Sequence, residues 1–324
     1  MTIQGASATR DHTSRGPWAR WVPCAAVAWL LVALLPSHAW AWGPGTHVFL
    51  GDAVLRNLAL LPGAVAALLQ AHPKDFLYGS IAADTSIAKK YARFGRHCHS
   101  WNVGFEILEK ARDEPLQAFA YGYLAHLAAD SVAHNCFVPH QLAITASTSA
   151  LGHSYWESRL ESHLGERFPR KARQLIEIDH SRSDGHLDLI LSPTIFSTPT
   201  NRRIFRGMVV VNDNESWQRV FALMVDNSRW DLTEPSVGRY LETSYDFVMD
   251  FLSRDARSVP FRYDPSGEHA LRRAKHVRRA ALRAGGDEAA RVDAQREFGL
   301  PAHGLTFART LPAPLYPPAR LPSI

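Results

Sequence analysis

The sequence predicts an all-α fold, a compact multi-helix bundle, on three observations. Apolar residues recur at three- and four-residue spacing through most of residues 48–252. Alternating apolar and polar patterns are scarce, with Met208 to Val211 the only β-favouring run. Helix-start chemistry also appears where a periodic stretch begins, as in Asp231-Leu232-Thr233-Glu234-Pro235 ahead of Val237 to Leu252.

The chain has 324 residues, and its first element is a leader. Ala25 to Leu35 is apolar, too short to span a bilayer as a helix, and preceded by Arg10, Arg15 and Arg20. Ala39 and Ala41 then place small residues where a signal peptidase reads them. Residues 1–41 are expected to be a signal peptide, with the mature protein secreted or periplasmic. Cys24 precedes the apolar run, which argues against a lipoprotein anchor. Val48 to Leu69 is the first predicted helical stretch, interrupted by Pro62 and closed by Pro73. Phe105 to Ala111, Ala118 to Ala133 and Tyr155 to Ile176 repeat its periodicity, and Ser192 to Thr200 reads as irregular chain. Residues 267–299 favour helix through Ala, Arg and Glu but have few large apolar groups to bury. Five prolines between Pro312 and Pro322 suggest an extended end. The expected organisation is a helical catalytic domain over 42–260 and a helical, Pro-tailed appendage over 261–324.

Charge and cysteines exclude little. Removing three Arg and one Asp with the leader lowers the formal charge from +5 to +3, a mild excess with no global pull toward nucleic acid. Cys98 and Cys136 remain, able to pair in an oxidising compartment or to stay as buried thiols.

The chemistry lies in four segments. Tyr121 to Asn135 places His126, Asp130 and His134 at four-residue intervals, on one face of an otherwise apolar helix. Buried imidazole and carboxylate need partners, and a divalent cation is one. His153 and Glu157 form a second pair one turn apart. Asp84 closes the apolar segment Phe76 to Ala83 and is a further donor. In His97-Cys98-His99, the two imidazoles would share a face in a strand and diverge on a helix, so either is a candidate. Cleavage after Ala41 would make Trp42 the mature N-terminus, five residues before His47. A free α-amine has a pKa of about 7.7–8.0 and can become a neutral nitrogen donor, and Gly43, Pro44 and Gly45 could fold it back toward the imidazole. Trp42, His47, Asp84, one of the histidines at 97 and 99, His126, Asp130, His134, His153 and Glu157 are too many donors for one tetrahedral ion. They suit a cluster with a bridging carboxylate, and metal-assisted phosphoester hydrolysis is the reaction class that fits.

This order of donors, with Phe-Leu-Tyr-Gly-Ser-Ile-Ala-Ala-Asp at 76–84 and Tyr-Leu-Ala-His-Leu-Ala-Ala-Asp at 123–130, resembles the zinc-dependent phospholipase C family. That family is related to the secreted single-strand-specific zinc nucleases, with which Trp42-Gly43 and His47 also agree in spacing. The resemblance covers about residues 42–160. It implies a phospholipase C/zinc nuclease-like helical bundle and about three zinc ions. Asp84, His99, His126 and Asp130 would hold the first ion and His134, His153 and Glu157 the second. The Trp42 amine and carbonyl, His47 and the bridging Asp130 would hold the third. It also implies in-line attack of zinc-bound water on a phosphodiester, with Asp84 as general base. The substrate would be a phospholipid at a membrane surface, or nucleic acid in the alternative reading; a non-catalytic zinc-binding protein is the third. No obligate protein partner is evident. Glu157, rather than aspartate, favours the phospholipases. One departure concerns His134, which follows Asp130 by four residues where the well-known members have six, leaving His140 as a substitute. The other is the absence of the aromatic pair and acid that usually follow the histidine placed here at 99.

Overall fold

Among the described residues, helix formation begins where proline fits best. The structure, a computed structural model, describes residues 42–86, 91, 96–145 and 149–316. The predicted leader and the final prolines Pro317, Pro318 and Pro322 lie outside the described residues. Helix α1 (Pro44–Arg56) has proline in its first turn, where the missing N–H leaves no bond unmade, and is buried from Pro44 to Val54. It breaks at residues 57–62, and α2 (Gly63–Ala71) and α3 (Pro73–Ala82) follow. A 3₁₀ turn over Ala83–Thr85 carries Asp84. After α4 (Trp101–Glu109), the long α5 (Glu114–Val132) opens with Asp113 accepting the Leu116 amide at 3.2 Å.

α5 is the axis of the fold. It is buried on all sides between α3, α4 and α12 (Glu234–Arg254), as expected of a helix apolar around its circumference. Its approach to α3 is set by two facing glycines. A Cβ on Gly79 would lie 2.0 Å from the Phe119 carbonyl oxygen, and one on Gly122 would lie 2.0 Å from that of Phe76. Backbone cannot yield as a flexible side chain does, so Gly122→Ala must push the helices apart. The expected cost is roughly 3 kcal/mol in denaturant unfolding, with a parallel fall in bound metal because α5 carries His126 and Asp130 and the turn directly after α3 carries Asp84.

Past Val132 the helix widens into a π-turn over Ala133–Phe137, closed by the Val138 amide on the Ala133 carbonyl, and resumes as α6 (Val138–Ile144). Pro139 supplies a reason, since it has no N–H to give Asn135 and its ring crowds that carbonyl. Next come α7 (Ser149–Ser162) and α8 (Arg167–Ile176), separated around Gly165 at φ +69°. They are followed by α9 (Ser181–Asp188), α10 (Thr198–Asn212), α11 (Glu215–Asp226) and then α12. Met208 to Val211, β-favouring by composition, is helical within α10. Ser197 caps that helix by accepting the Thr200 amide, and Val209 faces the core while Val210 and Val211 are exposed. Capping and one buried face override the strand propensity. No strand occurs among the described residues, and the fold is all-α.

The chain returns to this body after residue 260. α13 (Glu268–Ala284) and α14 (Gly286–Phe298) pack on each other and on α6. They bury Ala274, Ala281, Ala290 and Ala294, small residues that allow close approach, together with the larger Val277 and Phe298. Farther on, the Ala308 amide donates to the Asp246 carboxylate at 2.7 Å. Cys98 and Cys136 are separate buried thiols, and burial pushes the Cys136 thiol up to about 12.

Candidate metal centre

Five donors meet where α1, the turn after α3, the segment before α4, and α5 converge. His99 Nε2 lies 2.9 Å from Asp130 Oδ2 and 3.4 Å from Asp84 Oδ1. His126 Nε2 lies 3.1 Å from Asp130 Oδ2 and 3.9 Å from Asp84 Oδ1. His47 Nε2 approaches the other oxygen, Asp130 Oδ1, at 3.3 Å, and its ring stacks on that of His126 with centroids 3.8 Å apart. Asp130 thus faces imidazoles with both oxygens. Beside this group, His134, His153 and Glu157 form another whose donor atoms lie within 4.8 Å of one another. The rings of His99 and His134, 5.9 Å apart, join the two groups.

Of the two histidines left open by the sequence, the structure brings His99 to Asp84 and Asp130. His97 is half-buried, and its Nδ1 accepts the His99 amide at 3.0 Å, so it shapes the turn that presents its neighbour. His140 belongs to neither group, and its Nδ1 is buried without a hydrogen-bond partner among the described residues. The π-turn is what accompanies the short Asp130–His134 spacing: it lets His134 reach His153 and Glu157. Trp42 is fully buried, with its indole N–H donating to the Ala129 carbonyl at 3.1 Å and its ring stacked on Phe137. Its indole is therefore anchored one residue from Asp130. All nine predicted donors belong to residues no more than 5 % exposed.

Four residues outside the predicted donor set hold the rings and their turns. The Ser80 carbonyl lies 2.9 Å from His126 Nδ1, and the Pro265 carbonyl 2.6 Å from His134 Nδ1. A carbonyl can only accept, so each Nδ1 bears the proton and each Nε2 keeps its lone pair for another partner. The Tyr123 hydroxyl donates to the Cys98 carbonyl at 2.6 Å, tying the His99 turn to α5. Gly267, at φ +56°, brings the 264–267 turn so close that a Cβ would meet the His134 carbonyl oxygen at 2.4 Å. Asp264-Pro265-Ser266-Gly267 is a visible turn signature, but nothing local joins it to a histidine 131 residues away.

Residues 46–192 match the family model described as zinc dependent phospholipase C. Over these residues the chain is similar to the zinc-dependent phospholipase C family. No curated protein and no solved structure matches it. The span shared with the zinc-dependent phospholipases C holds every predicted donor except Trp42.

The donor set fits zinc. It consists of imidazole nitrogens and carboxylate oxygens, the hard-to-borderline mixture that zinc accepts. Both Asp130 oxygens and His47 Nε2 are buried without a hydrogen-bond partner among the described residues, despite the short approaches between them. Burial drives the His47 imidazole down to about 4 and that of His134 down to about 3, against the opposing pull of Asp130. Both are neutral imidazoles at neutral pH. Burial alone would raise the Asp130 carboxyl, but the electrostatic pull of His126 and the close approaches of His126, His47 and His99 hold it well below the carboxylate range. Two aromatic side chains on helices beside the site are engaged elsewhere. Tyr78 donates to Asp184 at 2.5 Å and stacks on His180, and Trp101 donates to the Tyr263 carbonyl and stacks on Phe251.

Proposed function

We propose that the protein is a secreted zinc-dependent phospholipase C that cleaves the headgroup phosphodiester of a phospholipid. The observation that carries this reading is Asp130 with three imidazoles gathered on its two oxygens, inside the span that matches the family. Asp84, His99, His126 and Asp130 would hold one ion, and His134, His153 and Glu157 a second. Trp42, through its amine and carbonyl once the leader is removed, would hold a third with His47 and Asp130. Bound zinc would lower the pKa of water and offset negative charge on the phosphoryl oxygens and the leaving alkoxide.

The remaining work falls to the chain. Asp130, with imidazoles on both of its oxygens, would be the carboxylate shared by two sites. Ser80 and Pro265 keep the Nε2 lone pairs of His126 and His134 aimed inward. Asp84, beside His99 and His126, is the group assigned to take the proton from the attacking water. Its neighbours Thr85 and Ser86 are buried with it, so the acid sits in a water-poor setting that strengthens its interactions.

The test measures metal and turnover on the same sample. Protein secreted by an expression host, its N-terminus established by mass spectrometry, should begin at Trp42, retain about three zinc ions and hydrolyse a choline phospholipid to diacylglycerol and phosphocholine. Fewer than two ions would sink the cluster. Turnover of single-stranded RNA in place of lipid would make it a nuclease, and zinc without turnover of either a binding protein.

A further inference from the structure

α7 carries three acids and bases at four-residue intervals, His153, Glu157 and Glu161, along one face. The first two belong to a metal-binding group, and the third belongs to none among the described residues. Glu161 is nevertheless 4 % exposed. Its Oε2 accepts the Thr46 amide at 2.9 Å and faces the Thr46 hydroxyl at 3.4 Å, and its Oε1 accepts Asn212 Nδ2 at 2.5 Å. Burial raises its carboxyl even against these bonds, so placing a carboxylate here costs stability.

The cost has a local reason. α1 starts on Gly43, which has no side chain to cap it, and no acid stands in its first turn. Glu161 supplies from α7 the negative group that the first-turn amides and helix dipole need. The turn also has no room for a cap of its own. A Cβ on Gly43 would lie 2.2 Å from Glu161 Oε2, and one on Gly45 would lie 2.9 Å from Glu161 Cδ. The segment so gripped is short and bounded by two predicted ligands. Trp42 is pinned by its indole beside Asp130, and His47 Nε2 stands 3.3 Å from Asp130 Oδ1.

We propose that Glu161 is a positioning residue for the metal centre, seating the 43–46 turn so that Trp42 and His47 are held against Asp130. One carboxylate thereby couples the segment entering α1 to the helix that carries His153 and Glu157. The inference rests on the reading that Trp42, His47 and Asp130 hold an ion.

Stepwise zinc retention tests it, measured by chelator competition on the secreted, zinc-loaded protein with circular dichroism and thermal unfolding alongside. Glu161→Gln keeps the side-chain shape and should weaken one zinc step by about 10- to 100-fold, leaving the others and the helical signal intact. Gly43→Ala attacks the same contact from the other side and should weaken the same step, and it carries the test if Glu161→Gln fails to fold. In a Glu161→Ala background, Gly43→Ala should add nothing, because the atom it would strike is gone. Unchanged steps in Glu161→Gln overturn the proposal. So does a parallel weakening of every step with falling thermal stability, the signature of a helix cap and nothing more. A wild-type protein that holds fewer than two ions overturns the underlying reading, and this inference with it.

Discussion

Asp130→Asn is expected to lower phosphodiester turnover on the order of 10³-fold and to strip the protein of more than one ion. The substitution changes almost no volume. It replaces one oxygen by an N–H₂ group inside a ring of imidazole nitrogens, with His99 Nε2 at 2.9 Å, His126 Nε2 at 3.1 Å and His47 Nε2 at 3.3 Å. An amide donor there points at lone pairs already in use, and the charge that kept two cations close is gone. Metal analysis separates this from a structural role. If Asp130 merely balanced nearby histidines, the variant would lose stability, by about 3–5 kcal/mol for a broken buried pair, yet hold its zinc once folded. Loss of ions at unchanged helical signal is the outcome that assigns the bridge. Zinc content equal to wild type would remove Asp130 from the ligand set.

Much of this centre is readable in the sequence because its donors obey helix arithmetic. His126, Asp130 and His134 share a face through four-residue spacing, and a helix apolar elsewhere forces that face inward. His153 and Glu157 follow the same rule on α7. What escapes the arithmetic is whatever the main chain does at a distance. The Ser80 and Pro265 carbonyls fix two imidazole tautomers, but any residue offers a carbonyl, so no side-chain pattern marks them. Gly79 and Gly122 are visible as glycines, while their pairing exists only once α3 lies on α5. His97 and His99 differ by a turn geometry that neither helix nor strand periodicity describes. Met208 to Val211 shows the opposite error, in which local β-propensity yields to a capped helix with one buried valine.

Removing the metal is expected to cost more stability than any substitution away from the site. Each ion bound at a free concentration a thousandfold above its dissociation constant contributes about 4 kcal/mol to the folded state. Losing the set should therefore lower the unfolding temperature by about 20 °C in a domain of this size. The metal-free protein should then be sensitive to mild acid, and the direction follows from the two depressed histidines. In the folded chain His47 and His134 take up protons only near 4 and 3, whereas in the unfolded chain they do so near 6.5. Between these values the unfolded state binds more protons, so stability is fully present above 6.5 and falls as the pH drops toward 4. From pH 7 to pH 5 the two rings should together remove roughly 4 kcal/mol. The Asp130 carboxyl adds nothing in that window: its folded value lies below the ordinary 3.8, so its contribution is present above 3.8 and is lost only in stronger acid. Thermal unfolding of chelated protein across pH 7 to 5 reads the effect directly. His134→Asn, which cannot titrate, should flatten the slope by about half, and an unchanged slope in that variant would show that other groups govern the acid response.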